Sequence, residues 1–198
     1  HTPLRLCTTG LNRMEQLAPA GNWDARRSAV AAGADAVYLG YAAYSARAGA
    51  GNFDEQQLRD AVRFAHLHHV RVHVTVNTLI KDGEMAGVAD VLRLLSEIRV
   101  DAVLVQDLGV LRMARRCFPD LPIHASTQMA IHHATGVRFC RNQGMTRAVL
   151  ARECSAAEIA LAAKENIEIE VFGHRAQCVA VSGECLFSSV VGGRSGNR

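Results

Sequence analysis

Two thiols near the end of the chain, Cys178 and Cys185, stand with six residues between them beside His174 and the glycines Gly173 and Gly183. Thiolates bind soft metals and iron-sulfur clusters strongly, and glycine lets backbone amides approach without a Cβ in the way. Two ligands do not complete a site. Zinc centres generally show tighter cysteine pairs together with a second pair or histidine partners, and no such spacing occurs here. The plainer alternative is a pair of small buried thiols packed as hydrophobes, and local spacing leaves both readings open.

A second set of polar residues follows short apolar runs: Asn77, Gln106, Asp107, Gln128, Arg152, Glu153 and His174, with His124 inside its run. If those runs are the strands of a barrel, their C-terminal ends carry the chemistry and these side chains share one face. Each also has a structural reading. Asp107 is placed to cap a helix, Asn77 and Gln128 to satisfy loop backbone, and Arg152 to pair with a carboxylate. His124 is harder to dismiss, because Ser126, Thr127 and Gln128 make an unusually polar end for a buried strand.

The elements that must position these residues alternate between period 2 and period 3.6 from Met14 onward, the pattern of a parallel α/β domain. Strands are predicted at Leu17-Ala18, Ala36 to Leu39, Val70 to Val76, Ala102 to Val105, Pro122 to Ala125, Thr146 to Leu150 and Glu168 to Phe172. In the third, Val70, Val72, Val74 and Val76 alternate with Arg71, His73 and Thr75. Helices are predicted from Trp23 to Gly33, from an Asp54 cap with Gln57 in a capping box, and around Val88 to Ile98. Three more end at Phe118 before Pro119, run from about Met129 to Gln143, and start at a Ser155 cap with Glu158 in the box position. Seven strands and six helices at this rhythm indicate a TIM-like (β/α) barrel with its eighth unit missing. The competing doubly wound sheet lacks support, since no Gly-x-Gly-x-x-Gly turn follows the first strand and no P-loop is present.

At 198 residues, 49% hydrophobic and 21% charged, the chain has ordinary globular composition, which excludes disordered and fibrous classes. The net charge of +3 permits an RNA partner without requiring one. Six cysteines without disulfide-framework spacing, and no apolar spanning segment, indicate a reducing cytoplasm. Residues 1–13 lack periodicity and read as a leader or an appended segment, leaving 14–198 as the domain.

The run Glu170-x-Phe172, Cys178, Gly183-x-Cys185 and Ser188 resembles the signature of the U32 peptidase, or collagenase-like, family. Further similarity lies in Ala34 to Tyr38, Asn77-Thr78, Gln106-Asp107, His124 to Gln128, Arg152-Glu153 and Gly192 to Arg198; Arg175 and Gln177 depart from the usual pattern. The resemblance is closest to the RNA-hydroxylating branch. It implies a [4Fe-4S] cluster with Cys178 and Cys185 as two of four ligands, the other two falling beyond Arg198, and oxygen-independent hydroxylation of an rRNA or tRNA base with prephenate as hydroxyl source. On that reading Asp107, His124, Gln128, Glu153 and His174 are catalytic candidates, and Arg47, Asn77, Arg152 and Arg194 are candidates to bind substrate or a carboxylated cosubstrate. Two alternatives stay open: the collagenase-like peptidase of the family's historical label, with Cys178 and His174 as a nucleophile-base pair, and a non-catalytic subunit of a dimer or heterodimer.

Overall fold

The computed structural model describes residues 14–46, 53–173 and 181–182. In chain order its elements are β1 (Leu17–Pro19), α1 (Trp23–Ala31), β2 (Ala36–Gly40), α2 (Glu55–Leu67), β3 (Arg71–Val76), α3 (Met85–Glu97) and β4 (Ala102–Val105). They continue as α4 (Leu108–Cys117), β5 (Ile123–Ala125), α5 (Ala134–Asn142), β6 (Arg147–Val149), α6 (Ala156–Ala162) and β7 (Glu168–Glu170). Each strand pairs in parallel with the next, in the order β1 to β7. A doubly wound sheet reverses its strand order at a switch point, and none occurs among the described residues. Among the described residues the architecture is a TIM-like half-barrel of seven strands and six helices.

Local chemistry accounts for most element boundaries. The Asp54 carboxylate accepts from the Gln57 amide at 2.8 Å while the Gln57 side chain accepts from the Asp54 amide at 3.0 Å, closing the capping box of α2. The same reciprocal pair joins Ser155 and Glu158 at the start of α6. Pro119 disfavours helical backbone at Phe118, which adopts φ −135° and ψ 63° and terminates α4. Gly33 and Gly144 follow α1 and α5 with φ of 84° and 78°, a region costly for residues bearing a Cβ.

The fifth helix begins later than the pattern from Met129 suggests. Thr127–Met129 instead form one 3-10 turn that ends in left-handed Ala130, φ 53°. The helix starts at Ala134, where His133 Nδ1 accepts from the Gly136 amide at 3.0 Å. Histidine stands here in the role usually filled by Ser, Thr, Asp or Asn.

The core lies between the sheet's outer face and the helices. Val37, Leu39, Val72, Val74, Val76, Val103, Val105 and Ile123 pack with Leu58, Leu92, Leu95, Val110, Leu111 and Val137 from the helices. Each such side chain contributes about 1.5–3 kcal/mol on burial. Alternation turns the intervening residues toward the barrel lumen, where charged and polar side chains join Ala36, Ala102 and Leu104. Glu15, just before β1, bonds both Arg71 of β3 and Arg147 of β6. Those contacts require the sheet to curl until its first strand faces its sixth.

Candidate functional site

Because all seven strands are parallel, their C-terminal ends lie along one edge of the sheet. Asn77, Gln106, Asp107, Gln128, Arg152 and Glu153 all follow strand ends there. Two of them are committed to holding the backbone. Asn77 Oδ1 accepts from the Ala46 amide at 3.1 Å and its Nδ2 donates to Ser126 Oγ at 3.2 Å. Asp107 Oδ1 accepts from the Gly109 and Val110 amides at 2.7 and 3.0 Å, capping α4, while Oδ2 accepts from Ile80 at 3.2 Å.

The others keep unused hydrogen-bonding capacity. Gln106 Oε1, Gln128 Oε1 and Arg152 Nε are buried without a partner among the described residues. The Arg152 guanidinium lies 5.2 Å from the Phe172 ring and donates through Nη1 to Ser182 Oγ at 3.3 Å. Ser182, fully buried, also accepts from the Arg152 amide at 3.1 Å, and its own amide donates to Glu153 Oε1 at 3.0 Å. Burial raises the Glu153 pKa, but hydrogen bonds from backbone and Ser182, with His132 nearby, bring it below the usual carboxylate value. His132 Nε2 lies 3.7 Å from Glu153 Oε2. Ser182 is thus fastened to the residues that follow β6.

His124 sits inside the lumen rather than at the rim, with 5% of its surface exposed. It meets His73 of β3 edge to face, the ring centroids 4.8 Å apart. The strand between them, β4, sets Ala102 level with His73, a side chain small enough for the two rings to meet across it. Burial is the main cause that lowers the pKa of His73 to about 4 and of His124 to about 2, and the Arg147 charge adds to both. Both rings are therefore neutral at pH 7, suited to accepting a hydrogen bond or ligating a metal and unsuited to acting as acids.

Below the imidazoles lies the charge cluster. Arg147, 7% exposed at its side chain, makes paired bonds of 3.0 and 2.9 Å to the two oxygens of Glu15. It also donates to Glu168 at 2.8 and 2.6 Å and reaches Glu170 at 3.4 Å. Burial raises the Glu170 pKa, outweighing the charge of Arg147. Oxygen or nitrogen donors of His73, His124 and Glu170 all lie within 4.8 Å of one another.

Of the residues singled out from the sequence, the structure gathers Gln128, Arg152 and Glu153 with Asn77 and Asp107 at the strand ends and sets His124 deeper. Arg47, His174, Cys178, Cys185 and Arg194 lie outside the described residues. Sequence reasoning passed over His73, Arg147, Glu170 and Glu15 as site members. Their signal was present: Arg71, His73 and Thr75 alternate with four valines, and in a barrel the face opposite the helices is the lumen.

Comparison with known proteins follows the same lines. The profile described as Peptidase family U32 matches residues 21–198. A tRNA hydroxylation protein P1 of Bacillus subtilis (strain 168) is 38% identical over 93% of this chain and 44% of its own length. The 23S rRNA 5-hydroxycytidine C2501 synthase of Escherichia coli (strain K12) is 38% identical over 96% of this chain and 29% of its own length. A collagenase of Porphyromonas gingivalis (strain ATCC BAA-308 / W83) is 30% identical over 95% of this chain and 48% of its own length. The chain thus spans less than half the length of these curated relatives. Among solved structures, the U32 peptidase Mk0906 superposes with a TM-score of 0.64 at 12% identity, over 86% of this chain and 73% of that one. At that identity the likeness concerns the fold.

Proposed function

The chain belongs to peptidase family U32, and we propose that it serves in the oxygen-independent hydroxylation of an RNA base, in tRNA or rRNA. The observation that carries this reading is its 38% identity, over nearly its whole length, to relatives named for tRNA hydroxylation and for 5-hydroxycytidine synthesis. The protease and collagenase names appear at 33% and 30%.

Cys178 and Cys185 would supply two of the four thiolates of a [4Fe-4S] cluster, a donor set that suits iron-sulfur ligation. Such a cluster, when bound, supplies one-electron chemistry. The chain's own contribution lies around it. Arg152, with a buried Nε free of partners among the described residues, is a charge-assisted anchor for a carboxylate such as those of prephenate or for an RNA phosphate. Glu153, held ionised by Ser182, accepts a proton at Oε2 beside His132. Gln106 Oε1 and Gln128 Oε1 offer acceptors to the exocyclic donors of a base. The work is done in the cytoplasm, as a dimer or with a related subunit.

The test is nucleoside mass spectrometry of tRNA and rRNA from a strain lacking the whole gene, complemented with the intact gene or with Cys178→Ala or Arg152→Ala. A nucleoside lighter by one oxygen in the deletion, restored by the intact gene and not by either variant, is the expected result. An unchanged nucleoside profile, with cleavage of gelatin by the purified protein that thiol alkylation abolishes, would replace this reading with the peptidase one.

A further inference from the structure

We infer that the lumen holds a metal site in which His73, His124 and Glu170 ligate one divalent first-row transition ion. Two imidazoles and a carboxylate suit zinc or iron(II), whereas calcium and magnesium favour oxygen donors throughout. The three residues come from β3, β5 and β7, so the sheet's curvature brings them together.

Burial makes the arrangement costly unless something binds it. His73 is 1% and His124 5% exposed, and the Nδ1 of each lies buried with no hydrogen-bond partner among the described residues. Buried polar atoms of native proteins are nearly always satisfied, so an orphaned nitrogen on each of two rings in contact points to a ligand. The ion pairs leave Glu170 the least engaged of three carboxylates around Arg147. Glu15 and Glu168 hold the short contacts to Arg147, and Glu170, at 3.4 Å, is the one left over.

Glu170 would bind through a carboxylate oxygen and each imidazole through a ring nitrogen. The donors, within 4.8 Å of one another, need to close to about 3.4 Å to surround a tetrahedral ion at ligand distances of about 2.0–2.2 Å. Three protein donors leave at least one coordination position for water or a substrate oxygen. This site does not depend on the RNA-hydroxylation reading.

Its test uses the 198-residue chain carrying Cys178→Ala and Cys185→Ala, which removes those thiolates from the competition. After dialysis against Co2+ and desalting, about one equivalent is expected to remain, with a visible spectrum of nitrogen and oxygen ligation. Glu170→Gln, nearly isosteric, is expected to weaken Co2+ binding about 100-fold or more. Zn2+ added to the parent chain should shift the side-chain 15N resonances of His73 and His124 together, a readout that needs no further variant to fold. A folded chain that retains no ion, or an ion that leaves both imidazoles unperturbed, would overturn the site. So would a folded Glu170→Gln chain that binds Co2+ as tightly as its parent.

Discussion

Arg147→Met tests the lumen cluster most directly. The substitution keeps much of the side chain's bulk and removes the cation that Glu15, Glu168 and Glu170 share. Glu168 is 61% exposed at its side chain and relaxes into solvent at little cost. Glu15 and Glu170 are 17% exposed; Glu15 keeps Arg71 but loses its two bonds to Arg147, and Glu170 keeps a poorly solvated carboxylate against a neutral neighbour. Breaking a buried ion pair from one side costs about 3–5 kcal/mol. For a domain of this size each kcal/mol lowers the melting temperature by about 2–4 °C, so the variant is expected to melt about 6–20 °C below the parent by circular dichroism. Urea unfolding measures the same loss as a free energy. Combining Arg147→Met with Glu15→Gln removes the carboxylate that lost its paired bonds and should cost less than the sum of the single changes, with a coupling of about 1–3 kcal/mol. A loss below about 1 kcal/mol, or strict additivity, would refute the reasoning, because the cluster would then be worth no more than a solvated surface pair.

Three further outcomes follow from the same structure. Gly144→Ala forces a Cβ into left-handed backbone at φ 78° and against the Arg115 guanidinium at 2.7–2.9 Å; urea denaturation should show a loss of about 1–2 kcal/mol at unchanged m-value. In the presence of chelator, stability should be greatest above about pH 6.5 and fall as pH drops toward 4. The unfolded chain then protonates both lumen imidazoles, while folded His73 resists until about 4 and His124 until about 2. Each group contributes a slope of about 1.4 kcal/mol per pH unit. Glu170, with its pKa raised, takes its proton in the fold before the unfolded chain does and offsets part of the loss, so a flat urea midpoint from pH 7 to 5 would contradict the burial of the pair. Finally, burial pushes the Cys140 thiol up to about 11, whereas Cys117 is exposed; iodoacetamide at neutral pH should label Cys117 in the native chain and Cys140 only on unfolding.

The strands and helices were legible because hydrophobic alternation, capping boxes and terminal glycines agree at each boundary, as at Asp54-Gln57 and Ser155-Glu158. The fifth helix was misjudged at its start because His133 is an uncommon cap. The strand-end residues could be listed once the barrel was inferred, yet which of them were spoken for could not. Asp107 spends its carboxylate on three amides, while Arg152 keeps its Nε, and that distinction depends on loop geometry. The lumen pair His73 and His124 was hidden for a different reason. Their meeting depends on the curl of the sheet and on a small Ala102 in the strand between, and neither strand's own pattern specifies those.

The bond between Glu15 and Arg147 spans 132 residues of sequence, whereas strand pairing throughout the sheet joins consecutive βα units. Loop-closure entropy must be met before so distant a contact gives anything back, so the chain can add its units one after another and make this clasp last. Glu15→Gln should accordingly speed unfolding and leave the refolding rate nearly unchanged in stopped-flow measurements. During synthesis, Glu15 can meet Arg71 once the third strand has emerged, and the clasp is completed only when the sixth brings Arg147.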